Sequence, residues 1–399
     1  MQKKLQLLLL FSMVFMLFQC SDSATTSHDV FDVTPTNNSE ILFEEINPEP
    51  IKLDSIESSY EGFATFQDDQ IQFVDTRLGK IFHFDQQGNH LETHLGQGEG
   101  PREIPDPAIQ FYSPLPEGGH LFIGSGNNVY FFNEDYERED MFIINWDRQA
   151  PPEVLAKNPD PTDHGSYNFG YSFGTVRVSG NHLYFPLESG PPEHTDFNFS
   201  TDLYAEQARV LARINLNDGT AEELLGRLSP VFSENENLRL FSHLHYDLID
   251  GQTLALTYKP DPLIYLADTD FTIKEAFGRP GREMNTEYQP LPRQAEGQNF
   301  RQYMIEQFTE RGFYTSLNYV EERDLLFRSY RRGDGVGKDG LQVYKDQTLI
   351  GDVDVPRPDG ADPTSFFSFA GYNAPYFYSN AMIDDSDMSI TVYRFKLEE

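Results

Sequence analysis

The stretch "QIQFVDTRLGKIFHFDQQGNHLETHLG", Gln70–Gly96, decides the fold. Its apolar residues come in short groups: Ile71 and Phe73, then Ile81, Phe82 and Phe84, then Leu91 and Leu95. Between them stand Arg77-Leu78-Gly79-Lys80 and Gln87-Gly88-Asn89. A period of two sends alternate side chains to opposite faces of a strand, and Gly and Asn tolerate the positive φ of tight turns. The stretch therefore predicts three antiparallel strands joined by short turns.

The same unit recurs. It returns at Gly119 ("GHLFIGSGNNVYFFNEDYEREDMFIIN"), at Asn181 ("NHLYFPLESG", then "VLARINLNDGTAEELLG") and at Gln252 ("QTLALTYKPDPLIYLADTDFTIKEAFG"). It returns again at Arg323 ("RDLLFRSYRRGDG" with "GLQVYKDQTLIGDVDV") and at Ala374 ("APYFYSNAMIDDSDMSITVYRF"). Six units spaced about 50 to 70 residues apart predict an all-β, six-bladed β-propeller of four-stranded antiparallel blades with insertions. A many-stranded β-sandwich competes, but it calls for no such self-similarity. Closure of the ring is expected from "EILFEEI" or "EPIKLDSI", within Glu40–Ile56, adding an outer strand to the last unit. One helical insertion is expected in Leu291–Phe313, with Phe300, Met304, Ile305 and Phe308 on one face.

A second repeat marks the blade ends. "HLGQGEGPREI" (His94–Ile104) closes the first unit, "AFGRPGREM" (Ala276–Met284) the fourth, and "LLGRLSP" (Leu224–Pro230) is a degenerate copy. Gly and Pro suit a chain leaving one blade sharply for the next. The run Gly96–Glu103 resembles the blade-closing signature of six-bladed propeller lipoproteins of Bacteroidetes, many classed as domains of unknown function. Arg102 stands where that signature has a second glycine. The resemblance implies an NHL-like or TolB-like ring and no agreed activity. A phosphate-binding glycine loop is excluded, because no helical period follows Gly96–Gly100 and Glu99 would repel phosphate.

The N-terminus gives the expected address. Lys3 and Lys4 precede an apolar run from Leu7 to Phe18, too short to span a bilayer. It ends at Cys20, the only cysteine among 399 residues. Leu17-Phe18-Gln19-Cys20 resembles the loose lipobox of Bacteroidetes lipoproteins, although Gln19 replaces the usual small residue. The expected division is a signal peptide over 1–19, lipidation at Cys20, a Ser/Thr/Asp/Asn-rich tether over 20–39, and the propeller over 40–399. The expected location is the outer membrane or cell surface, lipid-anchored and extracytoplasmic. With no further cysteine, an exported domain folds without disulfides. A formal charge of −34 argues against nucleic acid as a partner.

Signals of chemistry are sparse. There is no Gly-x-Ser-x-Gly elbow, no His-Glu-x-x-His and no spare thiol nucleophile. His243 and His245, two apart in "FSHLHYDLIDG", share a strand face and could offer imidazoles to a metal; local hydrogen bonding is the plainer reading. Asp268 and Asp270, and Asp384, Asp385 and Asp387, could offer oxygens to calcium or simply cap turns. Tyr171 and Tyr372 lie in aromatic-rich loops, Gly165–Val176 and Ser365–Tyr378, suited to stacking on a glycan or peptide or to packing between blades. No cofactor is expected. A binding or scaffold propeller, with a glycan, peptide or envelope-protein partner, is favoured over a hydrolase or lyase working in the channel.

Overall fold

In a computed structural model, residues 30–115, 118–155, 157–168, 174–189, 201–234, 238–289, 298–333, 337–357, 366–384 and 388–397 are described. They form a six-bladed β-propeller. The first blade holds Gly62–Gln67, Gln70–Asp75, Lys80–Phe84 and His90–Leu95, paired in chain order. The second runs Ile109–Pro114, His120–Gly124, Asn128–Phe132 and Arg138–Ile143, with Gly174–Thr175 added in parallel to its inner strand. The third holds Arg177–Ser179, His182–Pro186, Leu211–Asn215 and Ala221–Leu225, and the fourth Leu244–Ile249, Thr253–Tyr258, Ile264–Asp268 and Ile273–Phe277. The fifth holds Phe313–Val320, Leu325–Arg331, Lys338–Lys345 and Thr348–Pro356. The sixth combines Phe369–Asn373, Tyr376–Ser379 and Ser389–Phe395 with Glu49–Lys52 from the other end of the chain.

The apolar runs look almost continuous because each blade is buried on both faces. In the first blade Ile71 pairs with Phe84 and Phe73 with Phe82, and these four pack against Tyr378, Ile390 and Val392 of the sixth blade. Their neighbours Val74 and Ile81 point the other way, to Ile109, Tyr112 and Phe122 of the second. Strand alternation thus divides one sequence between two seams. Further clusters join blades two to four, four to five and five to six, so every seam of the ring is filled. Each fully buried large apolar side chain contributes roughly 1.5–3 kcal/mol.

The N-terminal segment closes the ring as a belt. Phe31 is buried edge-on against Tyr265 and Tyr258, with ring centroids 4.7 and 6.3 Å away. Thr36 bridges Phe277 at the outer edge of the fourth blade. Ser39–Phe43 then lies parallel to Thr348–Pro356 of the fifth, and Glu49–Lys52 antiparallel to Ser389–Phe395 of the sixth. Both latch candidates are used, on different blades. The span expected as tether also changes character before its end, because residues 31–39 already lie on the ring.

Topology fixes where insertions go. Antiparallel strands place every connection between blades at the end of the ring where the innermost strands begin. The long connections that leave Ile143, Leu225, Phe277 and Pro356 begin and end there. The third of these carries the expected helix, Gln298–Glu310. Of the expected face, the side chains of Phe300 and Met304 lie outside the described ones and Ile305 is 42% exposed, while Gln307 is buried and accepts the Gln289 backbone N–H at 3.0 Å. Phe308 does pack inward, on Phe241 and Phe313.

Candidate functional site at the channel mouth

The innermost strands line a cavity of about 510 Å3 at the end that receives these insertions. All six blades contribute: Phe63 and Ala64, Phe111, Arg177, Leu244–Tyr246, Thr315–Asn318, and Phe369 with Ala370. Lys259 and Asn380, at the ends of second strands, complete the rim with Phe366.

One ion pair fixes the inner wall. Arg177 of the third blade donates from Nε to Asp247 Oδ1 of the fourth, and Asp247 Oδ2 accepts the Tyr319 N–H of the fifth at 2.7 Å. Three blades are therefore tied through one buried carboxylate. A partner on each oxygen offsets the cost of burying that charge.

His243 and His245 stand together on this wall, with ring centroids 5.0 Å apart. His245 donates from Nε2 to the Tyr314 carbonyl at 3.2 Å, a tautomer assigned from that contact. Burial, chiefly, with His243 and Lys259 nearby, holds its pKa well below the ordinary histidine value, so the ring is neutral at pH 7. Among the described residues no group of three or more His, Cys, Asp or Glu side chains is placed to hold a metal ion.

The other sequence candidates lie elsewhere. Tyr372 is half-buried against Phe377, 4.8 Å between ring centroids, on the cluster that joins blades five and six. Asp268 caps its own turn by accepting the Asp270 and Thr272 N–H groups, and its other oxygen pairs with Lys274 at 2.9 Å. Asp270 pairs with Arg213. Cys20, Tyr171, Asp385 and Asp387 lie outside the described residues.

The residues sequence reading missed at the mouth are Lys259, Ser316, Asn318 and the Arg177–Asp247 pair. Lys259 places its ammonium 5.5 and 5.6 Å from the ring centroids of Phe308 and Phe313. Ser316 Oγ and Asn318 Oδ1 are buried with no hydrogen-bond partner.

A second histidine cluster fills the seam between blades one and two. His83 Nδ1 lies 2.6 Å from Gln70 Oε1 and its Nε2 3.0 Å from the Tyr136 hydroxyl. His120 and His94 both stack on the Tyr136 ring, at 4.2 and 4.4 Å, and the Tyr112 hydroxyl lies 3.0 Å from His120 Nδ1. Burial first, then neighbouring histidines, lowers His83 and His120 to a pKa of about 4 each.

The blade-end signature has a structural meaning. Glu103 folds back into the Gly96–Gly100 turn and accepts the Gly100 N–H at 2.8 Å, and Ile104 N–H donates to Gly96 O at 2.8 Å. A Cβ on Gly98 would sit 2.0 Å from the Glu103 carboxylate, so a side chain there would push Glu103 out of the turn.

These features define a six-bladed propeller with a lined channel mouth. A member of the DUF4221 family from Bacteroides vulgatus is similar to it, at 13% identity and TM-score 0.58, over 89% of this chain and 99% of that one. A candidate exported protein from Bacteroides fragilis matches at 10% identity and TM-score 0.49, covering 92% and 100%. BamB from Moraxella catarrhalis matches at 9% identity and TM-score 0.35, covering 88% and 99%. The first likeness speaks to the fold alone. No family model and no curated protein matches the sequence.

Proposed function

We propose that this chain is a lipid-anchored, extracytoplasmic binding propeller whose ligand enters the channel mouth. The observation that carries the binding role is the convergence of all six blades and the inserted segments on one cavity. Its volume falls in the roughly 300–1,000 Å3 range of small-molecule sites, and its wall mixes apolar rings with a few polar groups. The anchor rests on the sequence: Cys20 ends a short apolar run behind Lys3 and Lys4. Two or more acyl chains hold a soluble domain stably on a membrane. The partner is a glycan, peptide or envelope component rather than nucleic acid, which the acidic surface would repel.

Two measurements test this reading. Mass spectrometry of the membrane-purified protein should find an acylated N-terminal Cys20, and Cys20→Ala should release the domain or leave the precursor uncut. Ligand recovered from the protein should be chemically unchanged after prolonged incubation. Turnover that disappears on His243→Ala or His245→Ala would replace the binding role with an enzymatic one.

A further inference from the structure

At the end of the third blade two arginines meet without an acid. Arg209 stands two residues before the third strand, and Arg227 two residues after the fourth, in the turn "LLGRLSP". Leu211 pairs with Pro186, which lines the mouth, so this turn lies on the same end of the ring, outward from the cavity. Buried tyrosines anchor both backbones. The Arg209 N–H donates to Tyr167 Oη at 3.0 Å, and the Arg227 carbonyl accepts the Tyr258 hydroxyl.

The side chains converge on one neutral oxygen. Arg209 Nη1 and Arg227 Nη1 both donate to the Gly226 carbonyl, at 3.4 and 3.2 Å. Among the described residues neither arginine forms an ion pair. Each Nε is buried without a partner, while each Nη2, also unbonded, is open to solvent. Glu223, the carboxylate whose charge reaches Arg209, is paired with Arg213 at 2.7 Å. Burial first, then the charge of Arg209, brings Arg227 down to a pKa of about 10, and both groups remain cationic at pH 7. At the first and fourth blade ends an arginine meets a carboxylate instead: Arg102 pairs with Glu137 at 2.7 Å, and Arg282 with Asp354.

Two half-buried cations side by side repel each other, so an anion that touches both gains from each. A guanidinium fork matches the oxygens of a phosphate or a carboxylate, and a doubly charged anion suits two forks better than a singly charged one. Acidic residues elsewhere on the surface are screened beyond about 8 Å at physiological ionic strength. We propose that this turn binds a phosphate monoester, one phosphoryl group bridging Arg209 and Arg227. The group is free phosphate or the end of a phosphorylated saccharide or lipid, since the same chemistry recognises all three. The site is separate from the channel mouth and stands whether or not the mouth takes a ligand.

The test titrates the full-length protein by calorimetry with sodium phosphate, glucose 6-phosphate and dihexanoyl phosphatidic acid, and with sodium acetate as the singly charged control. At least one phosphate probe should bind about tenfold more tightly than acetate, and the tightest of the three names the source. Arg209→Met/Arg227→Met should lose about tenfold of that affinity or more, with melting temperatures confirming the fold. Arg227→Lys keeps the charge without the fork and should weaken binding less; should the double variant fail to fold, unchanged affinity in Arg227→Lys refutes the bridge. Ser316→Trp, which fills the mouth, should bind the phosphate probe as the wild type does, and loss of binding there would move the phosphate into the mouth and overturn the proposal. Binding of no phosphate probe, affinity no better than for acetate, or unchanged affinity in the double variant overturns it as well.

Discussion

Acid should loosen the seam between blades one and two by a calculable amount. His83 and His120 are each about 5% exposed and have folded pKa values of about 4, against 6.5 for an ordinary histidine. The unfolded chain therefore binds protons that the folded chain refuses. Their contribution to stability is complete above about pH 6.5 and is lost as pH falls toward 4. At pH 5 the difference between the two pKa values corresponds to about 2 kcal/mol for each ring, hence roughly 4 kcal/mol for the pair treated as independent. Urea unfolding at pH 7.5, 6.5, 5.5 and 5 gives the slope, and a His83→Gln/His120→Gln variant supplies the control. The wild type should lose most of this energy between pH 6.5 and 5, while the variant should be weaker at pH 7.5 and much flatter with pH. Parallel curves for the two proteins would show that these rings titrate normally and that the seam is not as dry as the geometry requires.

Other outcomes follow from the belt and the seams. Phe31→Ala should cost about 3–5 kcal/mol, as for other buried aromatics, although residue 31 precedes the first blade, which starts at Gly62, by 31 positions. Gly351→Val should cost about 1–3 kcal/mol, because its Cβ would meet the Phe43 ring at 2.3 Å, and Phe43→Ala should relieve most of that clash. Arg328→Met should destabilise the fold by about 3–5 kcal/mol, read by urea unfolding. This guanidinium is fully buried, bonds the Pro262 and Arg279 carbonyls at 3.0 and 2.9 Å, and stacks 3.9 Å from the Tyr314 centroid. Tyr372→Ala should lower the melting temperature and leave ligand binding intact, since its ring packs on Phe377 rather than on the channel.

The sequence is legible where blades touch blades. The six recurring units coincide with the second strands, Gln70–Asp75, His120–Gly124, His182–Pro186, Thr253–Tyr258, Leu325–Arg331 and Tyr376–Ser379. Buried on both faces, these carry the densest apolar pattern. The innermost strands escape the same reading because one face looks into the channel: Thr315, Ser316 and Asn318 interrupt the apolar residues of Phe313–Val320. The site therefore lies on the strands whose pattern is weakest. Lys259 directly follows the second strand of the fourth blade, in "TYKPDP", and no spacing connects it to His243 or Ser316. Asp247 was likewise invisible as a staple, since its partners sit 70 and 72 residues away on adjoining blades. The belt was half legible: both candidate strands could be recognised, but only the register shows that they serve two different blades.

Plugging the channel tests the central claim most directly. Ser316→Trp would fill the mouth from the fifth blade, and a melting temperature close to that of the wild type would establish that the ring is intact. Native mass spectrometry then compares the two proteins after exposure to fractionated envelope glycans and small molecules. Ligand carried by the wild type and absent from the plugged protein is the predicted result. Equal loading of both proteins, or of neither, would contradict the assignment of the channel mouth as the binding site.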